Sequence, residues 1–488
     1  MPTHPALLIL DAGTSAVRAV AFDRAGRIAS FHTRSVVTTR PKPGHAEIDP
    51  PALLRAVDQV LERTLADLER HGLRPRAMGL AVQRSSFLAY DPRRKAALTP
   101  VLTWQDTRAE EVMGRYRDQV AVITGKTGLP PAPYYGGPKL AWLLAHRPQL
   151  RSAFAAGKAR FVPLQSLIIH HLTGHLFIDE TIAGRTLLYD IKLRRWDSQL
   201  LELFGLPGSL SRCLPDLVPS RHKFGRVNWR GRRWPLLVCM GDQQAAMTGL
   251  GADSPGTMAL NYGTSGSVAV PTGDHPVQAP GLLANPAFTT AHKAEYLLEG
   301  TINAVGALFR WFEEDLQSPG LARNWPAQLA QSSDLVLVPG LNGLAAPYWR
   351  ADLDTTFLPS RRGYSVGQQL RAGMESIAHL VADIVAALPE NVRPSASATI
   401  HCGGGMARPA LLQFQADMLG RTLVLHRRRE ATARGVALRL AQALGWDDFG
   451  LIAAAGERRY QPDMSGKARN EHRDRWRQAV KKVLGSRS

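Results

Sequence analysis

The chain alternates between short apolar runs, which predict buried strands, and longer segments in which apolar residues recur at helical spacing. Residues 7–10, 77–82 and 235–240 are strand-like, and each run is followed at once by polar or glycine residues. Further strands are predicted at 334–339 and 396–402, and a hairpin at 257–270. Helices are predicted at residues 50–70, 138–146, 161–173, 244–250, 366–388, 409–419 and 431–444. Strands that alternate with helices in this way indicate an α/β fold.

The pattern restarts near the middle of the chain, which at 488 residues is long for one domain. A Gly-Thr-Ser turn lies near the start of each half, at residues 13–15 and 263–265. We therefore predict two domains, residues 1–243 and 244–488, related by a weak internal duplication. The basic tail carries an apolar stripe of Trp476, Ala479, Val480 and Val483, which predicts a docked terminal helix.

Composition narrows the classes of protein that fit. Lys and Arg number 60 against 41 Asp and Glu, a net charge of +19, but the basic residues are dispersed and follow no nucleic-acid-binding motif. We therefore expect no nucleic-acid partner, and interpret the charge as a solvated arginine-rich surface that also attracts phosphorylated ligands. The three cysteines are far apart and no apolar run reaches membrane-spanning length, so we expect a reduced, cytoplasmic protein without a membrane span.

Two stretches near the middle of the chain carry candidate catalytic and phosphate-binding residues. Asp242 follows a strand-like run and opens a helical segment, the place where open α/β sheets put ligand chemistry. The turn at 263–266, Gly-Thr-Ser-Gly, offers backbone N–H groups and hydroxyls to a phosphate. These features predict a kinase in which Asp242 deprotonates an acceptor alcohol while the turn of Thr264 holds the γ-phosphate.

Two other stretches support this interpretation. The strand-turn-strand around Asp11-Ala-Gly-Thr-Ser15 resembles the phosphate-binding hairpin of the actin-like ATPases. Glycines 403–405 stand between a predicted strand and a predicted helix, where a nucleotide could approach the backbone, although a close strand-to-helix turn is the alternative.

Ordered motifs along nearly the whole chain resemble those of the FGGY carbohydrate kinases, and among them those of glycerol kinases. The motifs include DAGTS at 11–15, VQRS at 82–85, WQDTR at 104–108, AGRTLLYD at 183–190, GDQQAA at 241–246, NYGTSG at 261–266, LEG at 298–300, GLAAPYW at 343–349 and EATARGVA at 430–437. The resemblance implies two actin-like (ribonuclease H-like) ATPase domains hinged around a central cleft. ATP would bind mostly on the C-terminal domain, and a small sugar or polyol mostly on the N-terminal domain.

The resemblance also implies roles for single residues. Asp242 matches the family's general base and Asp11 its Mg²⁺-associated acid. The positions that match the phosphate and nucleotide contacts are Gly13, Thr14, Arg18, Thr264, Gly404 and Gly405. The positions that match the polyol contacts of glycerol kinases are Arg84, Tyr134, Asp242 and Gln243, together with Ser85, which occupies the place of a family contact.

Departures from the glycerol kinase pattern concern the acceptor. Glycerol kinases have a glutamate where this chain has Ser85 and an aromatic residue where it has Ser267. Both changes remove bulk, and the first removes a charged acceptor for a hydroxyl, so we expect a substrate other than glycerol. Gln165 and Arg350 each replace an acid that is frequent in the family. The alternative is a catalytically silent relative that senses sugar or ATP, and a homodimer is plausible by analogy with the family.

Overall fold

The computed structural model describes residues 4–341, 343–426, 430–450 and 457–485. Up to the middle of the chain, the strands are β1 His4–Ala12, β2 Ala16–Phe22, β3 Ile28–Ser35, β4 Glu47–Ile48, β5 Leu73–Val82, β6 Phe87–Asp91, β7 Ala96–Ala97, β8 Val101–Leu102, β9 Arg160–Pro163, β10 Phe177–Asp179, β11 Tyr189–Asp190, β12 Arg195–Trp196, β13 Asp216–Val218, β14 Arg226–Trp229 and β15 Arg232–Gly241. The α-helices of the same part are α1 Pro50–Arg70, α2 Glu110–Met113, α3 Val120–Thr127, α4 Gly136–His146, α5 Pro148–Ala155, α6 Leu164–Thr173, α7 Glu180–Ala183 and α8 Ser198–Leu203.

In the second half, the strands are β16 Met258–Tyr262, β17 Gly266–Gly273, β18 Leu283–Thr289, β19 Ala294–Ile302, β20 Val336–Val338, β21 Thr356–Leu358, β22 Ile400–Gly403, β23 Leu423–His426 and β24 Glu457–Tyr460. The helices are α9 Asp242–Gly249, α10 Gly306–Asp315, α11 Leu321–Asn324, α12 Val366–Ala387, α13 Pro409–Leu419, α14 Ala431–Leu444 and α15 Gly466–Gly485. Short 3₁₀ helices occupy Gly114–Gln119, Gly208–Cys213 and Trp325–Gln328.

The first half is organised around a six-stranded sheet in the order β14-β15-β5-β1-β2-β3. Strands β1, β5 and β15 are parallel, with Asp11 opposite Ala81 and Gly241 opposite Val82. The carboxyl ends of these three strands therefore meet at one edge. This register brings residues that are far apart in sequence, including Asp11, Arg84 and Asp242, to the same edge of the sheet.

The second half contains a seven-stranded sheet in the order β18-β19-β17-β16-β22-β23-β24. The β16–β17 hairpin carries the second Gly-Thr-Ser turn, and β22 lies parallel to β16 with Asn261 opposite Gly403. The turn and the triple-glycine loop consequently leave the sheet at the same edge.

Helix α14, although late in the sequence, covers the sheet of the first half. Its Ala433, Val436 and Leu440 are buried in one cluster with Leu7 and Ile9 of β1. It also crosses α9 at two glycines: a Cβ on Gly249 would lie 1.9 Å from the Ala431 carbonyl oxygen, and one on Gly435 would lie 1.8 Å from that of Ala245. Only glycine allows the two backbones to approach this closely.

Most predicted elements are confirmed. The helices predicted at 50–70, 409–419 and 431–444 have these bounds in the structure, and the stripe around Trp476 is buried on α15. The helix predicted over 161–173 is partly wrong, since Arg160–Pro163 is a strand paired with β6 and the helix begins at Leu164. This segment is buried almost throughout, and a continuous apolar run does not separate a buried strand from a buried helix.

No helix among the described residues is long and apolar enough to cross a membrane.

Candidate active site

Three side chains converge at the edge of the first sheet because parallel strands end together there. Asp11 lies on β1, Arg84 lies just beyond β5, and Asp242 is the first residue of α9, directly after β15. Burial raises the pKa of both acids, and their charges also act on one another, since Asp242 adds to the shift of Asp11 while Arg84 opposes that of Asp242. The structure therefore brings the two acids predicted for catalysis into one site.

Asp242 is held so that one of its oxygens remains available. Oδ1 accepts a hydrogen bond of 2.8 Å from the backbone N–H of Gln243 and lies 3.8 Å from Nε of Arg84. Oδ2 accepts no hydrogen bond from the described residues. Burial raises the pKa of Asp242 and the Arg84 charge opposes this shift, so the carboxylate is more basic than an exposed aspartate.

Asp11 is buried beside Arg18 and Glu430. Nη1 of Arg18 donates to Oδ2 of Asp11 over 3.2 Å, and Nε of the same arginine lies 3.8 Å from Oε2 of Glu430. Burial raises the pKa of Asp11 to about 7, with Asp242 and Glu430 adding to the shift and Arg18 opposing it. Negative charge thus accumulates around Asp11, and Arg18 offsets only part of it.

Arg84 and Glu299 form a buried ion pair between the two sheets. Nη1 and Nη2 of Arg84 donate to the two carboxylate oxygens of Glu299 over 2.6 and 2.7 Å. Glu299 lies on β19 of the second sheet, and its side chain is only 2% exposed. Arg185 contributes a second guanidinium 3.8 Å from the same carboxylate. Both terminal nitrogens of Arg84, the arginine predicted to contact the acceptor, are therefore engaged by the protein itself.

Ser85 follows Arg84 in an unusual backbone conformation. Its φ is 58°, a left-handed value that few residues other than glycine adopt. The ammonium of Lys139 donates to the Ser85 carbonyl oxygen over 2.8 Å and to that of Thr103 over 2.6 Å, and the lysine is fully buried. The Ser85 hydroxyl is buried without a hydrogen-bond partner. Buried hydroxyls are normally satisfied, so this one is an exception beside the Arg84–Glu299 pair.

The other residues predicted to contact the acceptor, Tyr134 and Gln243, are held by contacts of their own. Tyr134 is half-buried and packs against the buried ring of Tyr135 with centroids 4.6 Å apart. Tyr135 in turn receives the guanidinium of Arg185 over its face, 5.2 Å from the ring centre. Gln243 accepts a hydrogen bond of 3.1 Å from the hydroxyl of Ser267. The serine at position 267 thus links the second Gly-Thr-Ser turn to the residue after Asp242.

The glycine turns form two separate groups. In the first half, Gly13 donates its backbone N–H to Ala16, and Thr14 accepts a hydrogen bond of 2.8 Å from the indole of Trp104. In the second half, the Thr264 carbonyl oxygen accepts from the backbone N–H groups of Val305 and Ala307 at the start of α10.

Gly404 and Gly405 lie beside the second turn, since the N–H of Met406 donates to the carbonyl oxygen of Tyr262. Gly404 has a φ of 99°, and a Cβ there would lie 2.3 Å from that same oxygen. Position 404 therefore requires glycine. Thr264, Gly404 and Gly405 are all exposed.

Comparison with known proteins decides the family. The chain matches the N-terminal domain of the FGGY family of carbohydrate kinases over residues 6–249 and its C-terminal domain over residues 258–444. A glycerol kinase from Rhizorhabdus wittichii is 34% identical, over 98% of this chain and 96% of that protein. A glycerol kinase from Acidiphilium cryptum is 32% identical, over 97% of both.

The chain belongs to the FGGY family of carbohydrate kinases. The family and the enzyme class inferred from the sequence motifs are thereby confirmed. The predicted boundary between residues 243 and 244 of this FGGY kinase falls within α9 and stays a prediction.

Solved structures of similar fold agree with this assignment. A Plasmodium falciparum glycerol kinase with ADP superposes with a TM-score of 0.90 at 23% identity, over 99% of both chains. A xyloylose kinase from Brucella ovis superposes with a TM-score of 0.87 at 22% identity, over 99% of this chain and 100% of that one. The predicted fold of two actin-like α/β domains is confirmed.

Four residues of this FGGY kinase site received no role in the sequence analysis: Lys139, Arg185, Glu299 and Glu430. Three lie within or at the start of quoted family motifs, and Lys139 lies in a predicted helix, but nothing local in the sequence pairs Glu299 with Arg84, 215 positions away. The only sequence signal for this pair is Glu299 itself, a charged residue inside a largely apolar strand, because a buried charge needs a partner.

Proposed function

We propose that this FGGY kinase transfers the γ-phosphoryl group of ATP to a hydroxyl of a sugar or polyol larger than glycerol, with Asp242 as the general base. The observation that carries the proposal is the basic, partly exposed carboxylate of Asp242 at the strand edge that Asp11 shares. A hydroxyl nucleophile needs a proton acceptor within reach as it attacks.

Asp242 is suited to accept that proton through Oδ2, since Gln243 and Arg84 engage only Oδ1. The fixed N–H of Gln243 orients the carboxylate and leaves its second oxygen free for the acceptor. A raised pKa brings the base closer to neutral pH, where proton transfer is most effective.

The residues around Asp11 fit a magnesium ion. Carboxylate oxygens are the ligands that Mg²⁺ prefers, and a divalent cation would favour the charged form of Asp11, whose pKa is raised by burial and, to a smaller extent, by Asp242 and Glu430. Asp11 would hold the ion, directly or through water, with Glu430 nearby. When bound, Mg²⁺ neutralises charge on the phosphoryl oxygens.

The phosphate contacts are proposed for two sets of residues on opposite sides of the cleft. Gly13, Thr14 and Arg18 would face the transferred phosphoryl group from the first sheet. Thr264 would face it from the second, with Gly404 and Gly405 beside the nucleotide. Closure that excludes water would favour transfer to the acceptor over hydrolysis.

The acceptor pocket is the part of the proposal that names a substrate class. Ser85 and Ser267 are small where glycerol kinases have larger side chains, and the Ser85 hydroxyl lacks a protein partner. Gln243, Tyr134 and the Arg84 turn would supply the remaining contacts. Extra room and an extra hydroxyl partner favour a longer polyol or a ketose over glycerol.

The decisive assay is coupled ADP release with Mg-ATP across glycerol, erythritol, xylitol, ribitol and the stereoisomers of ribulose and xylulose. We expect a strong response to an acceptor larger than glycerol. A preference for glycerol would refute the enlarged pocket. A folded protein that binds ATP and phosphorylates no polyol or ketose would instead favour the silent sensor.

The role of the base is tested separately with Asp242→Asn. This variant should keep ATP binding, measured by calorimetry, and lose about two to four orders of magnitude in turnover. The matched control is Asp253→Asn, an acid in the loop after α9 and apart from the strand edge that Asp11 and Asp242 share. Near-wild-type turnover by Asp242→Asn would remove the proposed base.

A further inference from the structure

The strand that leads to the proposed base is bound at its outer edge by a distant part of the chain. Near the end of β15, the N–H of Cys239 donates to the carbonyl oxygen of Ser220 over 2.9 Å. Every second N–H of a strand points to the same edge, so the next one on this edge belongs to Gly241. That N–H donates over 2.8 Å to the side-chain oxygen Oγ1 of Thr181, in a buried hydrogen bond. A side chain of α7 therefore holds the residue directly before Asp242.

Thr181 is itself fixed by Asp179, two residues earlier. The hydroxyl of Thr181 donates to the carboxylate of Asp179, whose two oxygens lie 2.9 and 2.8 Å away. A hydroxyl has a single hydrogen, and because the N–H of Gly241 occupies an acceptor position of this hydroxyl, the hydrogen is directed to Asp179. Asp179 is also the N-cap of α7 and accepts from the backbone N–H of Thr181 over 3.0 Å. The bonds thus form one chain from Gly241 to the carboxylate, in which each bond strengthens the next.

Asp179 is held from two further sides by neutral donors. Nε2 of Gln165 donates to Oδ1 over 2.9 Å, and the hydroxyl of Ser220 donates to Oδ2 over 2.7 Å. The members of this network are all completely buried: Gln165, Asp179, Thr181 and Ser220. Among the described residues, no arginine, lysine or histidine pairs with Asp179. A carboxylate buried without a cation costs free energy, so a contribution to stability does not explain it.

Gly241 is also restricted at its α-carbon. A Cβ there would lie 2.5 Å from Oε1 of Gln244 and 2.9 Å from Cδ of Arg84. Because its N–H is bound by Thr181 and its α-carbon packs against these two side chains, Gly241 has little freedom to move. Asp242 follows it directly as the first residue of α9, so the position of Gly241 sets where the Asp242 carboxylate stands.

We infer that Asp179 and Thr181 are positioning residues for phosphoryl transfer, which hold Asp242 in place through the N–H of Gly241. The inference rests on the proposed role of Asp242 as the general base. A base must stand within hydrogen-bond reach of the hydroxyl that it deprotonates, and a displacement of about 1 Å can cost about a hundredfold in rate. Loss of the Thr181 hydroxyl would leave the Gly241 N–H without its acceptor and allow the base to shift. The nucleotide contacts proposed for the second half would be unaffected.

The test compares Thr181→Val with Thr181→Ser in the full-length protein, with Mg-ATP and the polyol or ketose of the panel that gives the highest kcat/KM. Valine keeps most of the shape of threonine without the hydroxyl, whereas serine keeps the hydroxyl. We expect Thr181→Val to lower kcat about tenfold to a hundredfold and to change the KM for ATP less than about twofold, and Thr181→Ser to restore most of kcat. Asp179→Asn, a second variant that removes the charge and one acceptor oxygen, should also lower kcat. Circular dichroism reports that the variants are folded.

The matched control is Thr99→Val, because the buried hydroxyl of Thr99 also accepts a strand N–H, that of Ala89 on β6 over 3.0 Å, in a different sheet. In an Asp242→Asn background, Thr181→Val should cause no further loss of the residual turnover, since it acts through Asp242. A full further loss in that background, or equal kcat values in Thr181→Val and Thr99→Val, would overturn the inference and leave the proposed function standing. Near-wild-type turnover by Asp242→Asn alone would overturn the proposed base, and this inference with it.

Discussion

The pair of Arg84 and Glu299 permits a quantitative prediction, because both side chains are buried and solvent screens their interaction little. Glu299→Gln keeps the shape of the side chain, removes its charge and places an amide NH₂ against one guanidinium nitrogen. Arg84, only 9% exposed, then retains its charge without a full partner. Its nearest other acid is Asp242, 3.8 Å from Nε.

Two routes give similar magnitudes for this change. Although burial alone would raise it, the pKa of Glu299 is lowered from 4.5 to about 2 by Arg84 and Arg185. This lowering corresponds to about 3 kcal/mol in favour of the charged, folded form. Removal of one partner from a buried pair typically costs about 3–5 kcal/mol. A depressed carboxyl pKa stabilises above pH 4.5, and this contribution disappears as the pH falls through about 2.

Urea denaturation at pH 7, followed by circular dichroism, measures this loss. Glu299→Gln should lose about 3 kcal/mol of unfolding free energy, and Arg84→Gln combined with Glu299→Gln should recover part of it, because no unpaired charge remains. The matched control is Asp352→Asn, which breaks an exposed bidentate pair to Arg350 with both distances 2.8 Å and should cost less than about 1 kcal/mol.

Kinetics give a second result from the same variant. Without Glu299, the Arg84 guanidinium should turn to Asp242, lower the pKa of that carboxylate and slow turnover. The reasoning fails if Glu299→Gln is no less stable than Asp352→Asn, or if the effects of the two single substitutions at Arg84 and Glu299 simply add.

Three further predictions concern the site. Burial raises the pKa of Asp11 to about 7, so activity at low Mg²⁺ should fall as the pH drops below 7, and added Mg²⁺ should move this limb of the kcat/KM profile to lower pH; a profile insensitive to Mg²⁺ would argue against the metal role. Because ionising this buried acid destabilises the fold as the pH rises, Asp11→Asn should also raise the free energy of unfolding at pH 8 by up to about 4 kcal/mol. Ser85→Glu with Ser267→Phe should shift the ratio of kcat/KM values toward glycerol by about tenfold or more, measured against Ser254→Ala on an exposed turn, and an unchanged ratio would separate these serines from specificity. Lys139→Met leaves two buried carbonyl oxygens without their donor, so it should cost about 2–5 kcal/mol and raise the acceptor KM with little change in the KM for ATP; equal changes in both constants would indicate a general loss of structure.

The parts of the fold that the sequence predicted are those with a local signal. Helix α1 has a clear apolar period and an aspartate cap at Asp49, and its predicted bounds are correct. The segment at 161–173 has no such contrast, because nearly every position is buried and its first residues pair with β6. The turn at 13–15 and Asp242 stand at the ends of parallel strands in one sheet, so the register of that sheet alone could place them together, whereas the turn at 263–265 belongs to the other sheet.

The residues around those positions depend on packing between distant segments. Glu299 was visible as part of a family motif, yet its partner is set by how β19 meets the turn after β5. The docking of α14 on the first sheet was likewise not predicted. The apolar face of α14 predicts that the helix packs on another element but does not say which one. Its partner is selected by glycines 79, 249 and 435, where the absence of a side chain allows α14 to approach β5 and α9 closely.

The placement of α14 has a consequence for how the chain can be divided. A polypeptide ending at residue 243 would leave Leu7, Ile9 and Ala77 without their cover, although its own strands would all be present. We expect such a fragment to aggregate when produced alone and to become soluble when residues 244–488 are produced beside it, as gel filtration of the two preparations would show. The two halves of this enzyme can therefore be separate polypeptides only if α14 is present to cover the first sheet. The natural places to split or permute the chain lie away from residues 431–444.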